Sequence, residues 1–140
     1  MMRRFLIVAL LGLLCILGVA RAESEAEKSA QTAAVAWMTL WDAGKYDDAY
    51  QELARRTKDD VSRAQWRDYW SSVRKPLGKL QSRQLLQGSY AQSSPAAPAQ
   101  EGVMLEYKTS FASGSQPLTE TVGLLRESDG AWRVANYQVK

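Results

Sequence analysis

The sequence predicts an α+β fold, in which about three N-terminal helices pack on one face of a curled four-stranded antiparallel sheet. Up to about residue 75, apolar residues recur with the helical spacing i, i+3, i+4, i+7. After residue 78 the apolar period changes to two, which is typical of strands. Turn and loop signals, rather than helices, separate these later segments, and this indicates antiparallel pairing.

The chain begins with a segment typical of export. A short basic start precedes the unbroken apolar run FLIVALLGLLCILGVA, and Ala20-Arg21-Ala22 supplies small residues where signal peptidase cuts. We therefore predict a cleaved signal peptide over residues 1–22, a single α+β domain over residues 23–140, and a periplasmic or secreted location of Gram-negative type. The apolar run is shorter than the ~20 residues of a membrane span. No stable membrane insertion is expected after cleavage, and an uncleaved anchor is the alternative.

Charge and composition exclude several classes of function. The precursor carries 18 Lys and Arg against 15 Asp and Glu. Loss of Arg3, Arg4 and Arg21 with the leader would equalise these numbers, so net charge gives no reason to expect nucleic-acid binding. The chain has no histidine, and its one cysteine, Cys15, lies in the predicted leader. This excludes Ser-His-Asp and Cys-His catalysis and the usual zinc sites, and we predict neither a metal nor another cofactor.

Three helices are predicted from the apolar spacing. The first covers residues 26–43, with Gly44 as a left-handed cap. The second starts near Tyr46, and the third starts at a capping box formed by Ser62 and Gln65. The predicted inward faces are Ala30, Ala33, Ala34, Trp37 and Trp41; then Tyr46, Ala49, Tyr50 and Leu53; then Trp66, Tyr69, Trp70 and Val73.

Four strands are predicted after Gly78, with a Pro-containing loop over residues 91–101. The first strand covers residues 80–90, and Asp129-Gly130 predicts a two-residue hairpin turn. A strict turn of this length would place Trp132 and Val134 on the face opposite Tyr137. We therefore expect either a β-bulge in the last strand or a contact on the second face of the sheet.

Four stretches of the chain carry a family resemblance: WDAGKYDDAY, VSRAQW, VRKPLGKLQSRQL and TETVGLLRESDGAWRVANYQVK. In this order they resemble an uncharacterised exported bacterial family, domain of unknown function 4019. The most particular pattern is R-x-P-L-G-x-x-x-S-R over residues 74–83. The resemblance covers residues 41–140 and implies no activity. By analogy of fold alone, the predicted architecture is similar to the cystatin-like and nuclear-transport-factor-like cone folds.

A basic cluster without acids lies between the last helix and the first strand. It contains Arg74, Lys75, Lys79 and Arg83. Arg74 and Lys75 fall in the last helical turn, where cations favour the helix dipole, and Lys79 and Arg83 are predicted on the solvent face of the strand. The cluster is either a helix-to-strand joint or a contact for an anion or a partner.

Aromatic residues on the inward faces are the candidates for a ligand pocket. They are Trp37, Trp41, Trp66, Trp70, Tyr107 and Tyr137. Such residues line an apolar pocket in some proteins, and in others they fill the core. Both interpretations stay open at this point.

These observations predict an exported, non-enzymatic domain that binds a small apolar ligand or a protein partner in the cell envelope. The alternatives are a small acid/base enzyme of the cone-fold type and a purely structural interaction module, and a homodimer stays open. For the enzyme, the conceivable groups are Asp42, Tyr107, Glu120 and Tyr137, although no residue is assigned as catalytic. Glu120 is the one acid whose register places it on an apolar face.

Overall fold

The computed structural model describes residues 25–92 and 100–140, so the predicted signal peptide and most of the predicted loop lie outside the described residues. The elements are α1 (residues 25–42), α2 (Tyr46–Gln51), α3 (Arg55–Asp60), α4 (Arg63–Arg74), a 3₁₀ turn (Lys75–Leu77), β1 (Leu80–Gln92), β2 (Glu101–Phe111), β3 (Leu118–Arg126) and β4 (Trp132–Val139). The strands form an open antiparallel sheet in the order β1-β2-β3-β4, against which the helices pack. The predicted α+β fold is confirmed. In the part of the chain that the structure describes, no helix is long and apolar enough to span a membrane.

Helix α1 ends as its sequence predicts. The N–H of Gly44 donates to the carbonyl of Trp41 at 3.1 Å, and the N–H of Lys45 donates to the carbonyl of Leu40 at 2.9 Å. These two bonds form a Schellman motif, which needs the positive φ of +73° that Gly44 adopts. The motif turns the chain sharply toward α2 and leaves the carboxyl end of α1 beside α4.

Helix α3 is an element that apolar periodicity does not reveal. Its sequence, RRTKDD, has no buried residue, so it carries no apolar stripe. It is held to the sheet instead by polar contacts, one of which is the hydrogen bond that the Thr57 hydroxyl donates to the carbonyl of Ala135 at 2.9 Å.

Helix α4 begins at the predicted capping box, in which Ser62 and Gln65 bond to each other's backbone N–H. Its inward face differs from the prediction. Tyr69 was predicted to face inward and is 61% exposed, while Arg74 is 6% exposed. Helix α4 therefore meets the core along the narrow row i, i+4, i+8, which contains Trp66, Trp70 and Arg74.

A β-bulge at the start of β1 reverses the predicted orientation of Arg83. Leu80 pairs with Phe111 and Arg83 pairs with Thr109, so the register contains one extra residue, Gln81. The extra residue changes the alternation of faces, and Arg83 points to the inner face of the sheet. The prediction that Arg83 lies on the solvent face is wrong for this reason. A second shift, next to Leu86, leaves that side chain 54% exposed.

A β-bulge also occurs in β4. Gly123 pairs with Asn136 and Leu124 pairs with Val134, which leaves Ala135 without a partner in the register. Val134 and Tyr137 consequently both face the core, at 2% and 6% exposure. Of the two predicted alternatives, the bulge is confirmed.

The β3–β4 hairpin has a three-residue loop rather than the predicted two-residue turn. The N–H of Glu127 donates to the carbonyl of Ala131 at 2.8 Å, and the N–H of Gly130 donates to the carbonyl of Glu127 at 2.9 Å. Gly130 closes the loop with a φ of +83°, a conformation in which glycine is the favoured residue.

Candidate functional site

Glu120 lies at the centre of the inner face of the sheet and is fully buried, as its register predicts. Its carboxylate accepts hydrogen bonds from a side chain on each of the other three strands: Arg83 on β1, Thr109 on β2 and Tyr137 on β4. The Arg83 contacts are bidentate, with Nε 2.7 Å from Oε1 and Nη2 3.1 Å from Oε2. Both carboxylate oxygens are therefore engaged within the protein.

Arg83 also binds Asp42, at the carboxyl end of α1. Its Nη1 is 2.7 Å from Oδ2 and its Nη2 is 3.2 Å from Oδ1, so one guanidinium lies between two carboxylates. Burial by itself would lower the pKa of Arg83, but the hydrogen bonds that Arg83 donates to Asp42 and Glu120, together with the charges of these carboxylates, outweigh burial and raise that pKa. The contact joins the helical layer to the sheet through a permanent cation.

Arg74 extends this arrangement toward the surface. Its Nη2 lies 3.4 Å from Oδ1 of Asp42, and its Nη1 donates to the carbonyl of Gly78. Its guanidinium lies 5.1 Å from the ring centroid of Trp41 and 4.8 Å from that of Phe111, which are cation–π distances. We call Asp42, Arg74, Arg83 and Glu120 the buried charge network; its two cations and two anions balance.

Two buried tyrosines next to Glu120 differ in how their hydroxyls are satisfied. Burial raises the pKa of Tyr137 above its usual range, and the Glu120 carboxylate raises it further. Burial also raises the pKa of Tyr107. The Tyr137 hydroxyl donates to Glu120, whereas the buried Tyr107 hydroxyl has no hydrogen-bond partner among the described residues. Both hydroxyl groups therefore stay protonated at neutral pH.

Five of the six aromatic residues predicted as a pocket lining are in ring contact with one another, and the sixth, Tyr107, is buried without such a contact among the described residues. Ring centroids of Trp37, Trp41 and Trp70 lie 5.1, 4.8 and 5.0 Å from that of Tyr137. A cavity of about 200 Å³ lies beside them, and four of the six predicted residues line it: Trp37, Trp66, Trp70 and Tyr137. Ligand pockets usually measure ~300–1,000 Å³. This geometry favours a core role, and the predicted apolar pocket stays a prediction.

An open cleft of about 890 Å³ lies where the carboxyl ends of α1 and α4 meet the start of β1. We call it the corner cleft; the lining residues used below are Tyr46, Arg67, Ser71, Arg74, Lys75 and Lys79. It brings together three of the four residues of the predicted basic cluster. Arg83 is not among its lining residues, because the β1 bulge turns that side chain into the core.

The acids of the corner cleft are already engaged. Asp42 binds Arg74 and Arg83, and Oδ1 of Asp68 lies 3.5 Å from Nε of Arg67. Lys75 and Lys79 are exposed, and neither forms an ion pair within residues 25–92 and 100–140. The cleft therefore carries an excess of positive charge that the described chain leaves unpaired.

A third cavity, of about 490 Å³, lies beside α3 on the sheet. Small and apolar residues form much of its wall, including Gly123, Met104 and Leu125. Met104 is 41% exposed there. This is the more apolar of the two larger openings, and it lies away from the buried charge network.

Sequence reasoning named some of these residues separately and missed others. Asp42 and Glu120 were named together as conceivable acid/base groups and Arg83 as part of the basic cluster, but nothing in the sequence placed the three in contact. Thr109 was missed, although its parity with Tyr107 and Phe111 would have put it on the inner face. Tyr46 and Arg67 were not expected near the basic cluster, because only the turn after α1 brings α2 and α4 to the same corner.

Fold and site together define an α+β domain in which helices cover one face of an open antiparallel sheet and a balanced charge network joins the two layers. The family model DUF4019, described as a protein of unknown function, matches residues 33–137. The chain therefore belongs to this family, and the resemblance predicted from its motifs is confirmed. A search of curated proteins found no match. Within the described residues, no group of acidic side chains is arranged to hold a metal ion.

Proposed function

We propose that this protein is a non-enzymatic binding domain of the cell envelope that contacts a partner protein through the corner cleft. The observation that carries the proposal is the contrast between two sets of charges. The charges inside the domain, Arg83 and Glu120 with Asp42, are bound to one another. Lys75 and Lys79 in the corner cleft are exposed and unpaired in the described chain, and are thus available to a partner.

The environment of Glu120 and of the two buried tyrosines counts against the acid/base enzyme. Catalytic proton transfer needs a group that can reach substrate and exchange a proton near neutral pH. Glu120 accepts hydrogen bonds from three side chains and lines none of the three cavities described above. Burial raises the pKa of Tyr107 and of Tyr137, so neither is a proton acceptor at neutral pH. This arrangement supports a structural role for the conceivable catalytic residues.

The envelope location is part of the proposal and is supported by the sequence pattern before residue 23. The expected product has lost residues 1–22 by cleavage after Ala22. The intact mass of protein recovered from the periplasm or the medium tests this directly. A product that keeps residues 1–22, or one found only in the membrane fraction, contradicts the proposed export.

Two neighbouring serines of α4 allow a matched test of the binding surface. Ser71 lines the corner cleft, whereas Ser72 is exposed outside the cleft lining. We expect Ser71→Trp to fill the cleft and abolish the partner's cross-links in intact cells, with Ser72→Trp cross-linking as the native protein does. Cross-linked products are identified by mass spectrometry, and circular dichroism confirms that both variants fold.

Three results would contradict the proposal: no cross-linked partner, equal loss in the two variants, or a partner retained by Ser71→Trp. Cross-linking retained by Ser71→Trp but lost when Met104 is replaced by Glu would move the binding surface to the cavity beside α3. Detection of a bound small apolar molecule by native mass spectrometry would favour such a ligand, rather than a protein, as the occupant of that cavity.

A further inference from the structure

We propose that the corner cleft recognises an acidic segment, an extended stretch of a partner protein that carries several carboxylates. The inference rests on the proposed function, because it names the chemistry of the partner at the same surface. The side chains expected to contact the partner's carboxylates are those of Arg67, Lys75 and Lys79.

The positive charges of the cleft are spread along it rather than focused on one point. Arg67 comes from the middle of α4, Lys75 from the turn after α4, and Lys79 from the residue before β1. Lys75 and Lys79 have no acidic partner in the described chain, and the contacts of Arg67 with Asp47 and Asp68 are exposed at 3.6 and 3.5 Å. Exposed pairs of this kind contribute only ~0–1 kcal/mol, so a partner's carboxylate can replace them.

The helix ends around the cleft select against a compact, doubly charged anion. Both α1 and α4 present their carboxyl ends here, and helix carboxyl ends carry partial negative charge. Phosphate sites use the opposite end, where backbone N–H groups point at the ligand. A single negative charge that meets a cation at the end of a long side chain is repelled less by these helix ends than a compact dianion is. This arrangement favours carboxylates spaced along a peptide.

The cleft also offers a neutral donor. Tyr46 lines it, and the Tyr46 hydroxyl forms no hydrogen bond within residues 25–92 and 100–140. Ser71 already donates to the carbonyl of Asp68 at 3.2 Å. Burial raises the pKa of Tyr46, so its hydroxyl keeps a proton to donate to a carboxylate or a peptide carbonyl.

The test uses the purified domain and a fluorescein-labelled oligoglutamate of about eight residues, which reaches at most ~28 Å when extended. Fluorescence anisotropy is measured at low salt and at ~0.3 M salt. We expect Lys75→Ala/Lys79→Ala to weaken binding about tenfold or more, since ~1.4 kcal/mol corresponds to tenfold. The control Arg56→Ala/Lys108→Ala removes the same charge outside the cleft and should leave affinity within about twofold. Binding by the native domain should weaken at the higher salt.

Competing ligands distinguish an acidic peptide from other anions. Free glutamate and inorganic phosphate, added as competitors, should displace the oligoglutamate only at far higher concentration, and oligoglutamine should not bind. Equal weakening in the two double variants would show a non-specific charge effect and overturn the inference. So would efficient displacement by phosphate, or no binding of oligoglutamate. If oligoglutamate fails while the partner in cells is still lost with Ser71→Trp, the proposed function stands and only the acidic chemistry is wrong.

Discussion

Arg83 holds together parts of the chain that are far apart in sequence. Its guanidinium makes two bonds to Glu120 and two to Asp42, and its side chain is 13% exposed. A buried carboxylate is stable only when it is paired and hydrogen-bonded. The stability of the buried charge network therefore depends on the Arg83 guanidinium more than on Asp42 or Glu120 alone.

We predict that Arg83→Met lowers the free energy of unfolding by ~3–5 kcal/mol, because it leaves Glu120 buried without its cation. Urea denaturation followed by tryptophan fluorescence measures the change. The control is Arg126→Met, since Arg126 binds Glu101 at the surface and such pairs contribute ~0–1 kcal/mol. Equal effects of the two substitutions would show that the network is not buried as described.

The two buried tyrosines give a second prediction at this scale. Tyr137→Phe removes a hydroxyl that donates to Glu120 and should cost ~1–3 kcal/mol. Tyr107→Phe removes a buried hydroxyl that has no partner in the described chain, so it should be neutral or slightly stabilising. Urea denaturation of both variants at neutral pH decides the matter. If Tyr107→Phe were the more destabilising change, the assigned hydrogen bonds would be wrong.

At the scale of elements, the turn after α4 positions both the corner cleft and β1. Gly78 has φ +76° and ψ −162°, a conformation that is nearly restricted to glycine. A Cβ there would lie 2.6 Å from Oγ of Ser113 and 3.3 Å from its backbone N. Glycine is thus required both by the backbone conformation and by the close approach of the β2–β3 connection.

We predict that Gly78→Ala destabilises the protein more than Gly130→Ala does. Gly130 also has a positive φ, of +83°, but a Cβ there would meet nothing within 4 Å. Gly130→Ala should cost ~1–2 kcal/mol from backbone conformation alone, and Gly78→Ala should add the displacement of Ser113 to a similar cost. Thermal denaturation compares the two, and partial recovery in Gly78→Ala/Ser113→Ala would identify the contact. Equal melting temperatures would argue against the close approach.

For the whole molecule, aromatic residues connect the helices to the sheet within the buried core. Trp66 is 5% exposed, and its ring lies 6.1, 6.0 and 6.4 Å from those of Trp37, Tyr50 and Trp70. It therefore links α1, α2 and α4. Removal of this ring should loosen all three helices together.

We predict that Trp66→Ala costs ~3–5 kcal/mol, as large-to-small changes of buried aromatic residues do. Tyr69→Ala, three residues along the same helix, is the control, because Tyr69 is 61% exposed and contacts only the ring of Trp70 among the aromatic residues described. Its loss should cost no more than ~1 kcal/mol. A melting temperature for Trp66→Ala that differs by only a degree or two from the native one would contradict the observed packing.

The stability of the whole molecule at alkaline pH depends on its buried tyrosines. The pKa values of Tyr46, Tyr107 and Tyr137 are raised in the folded state, with burial as the main cause. Their protonated forms stabilise the fold fully below the unfolded-state pKa of ~10, and this contribution is lost as pH rises above that value. The urea midpoint should fall above pH ~10 and fall less steeply in Tyr137→Phe. An identical slope in that variant would show that Tyr137 does not contribute.

The sequence alone determined the fold class, the positions of most elements, the end of α1 and the start of α4. These features depend on local chemistry: a 3.6-residue period, a capping box at Ser62, a left-handed cap at Gly44 and a strand period of two after Gly78. It also placed Glu120 correctly on the inner face, because no bulge interrupts β3 before Leu124. The family followed from motifs that extend over most of the domain.

Only the tertiary structure decided the orientation of Arg83 and the composition of the site. A single extra residue at Gln81 reverses the faces of β1 as far as Leu85, where the second shift restores them, and local sequence does not say which residue the pairing will leave out. The contacts of Arg83 with Asp42 and Glu120 span 41 and 37 residues, so they exist only once helices and sheet have docked. The corner cleft likewise exists only where the ends of α1, α4 and β1 converge. Charge and burial at a site are long-range properties, and for that reason the sequence located the basic residues but not which of them line the corner cleft.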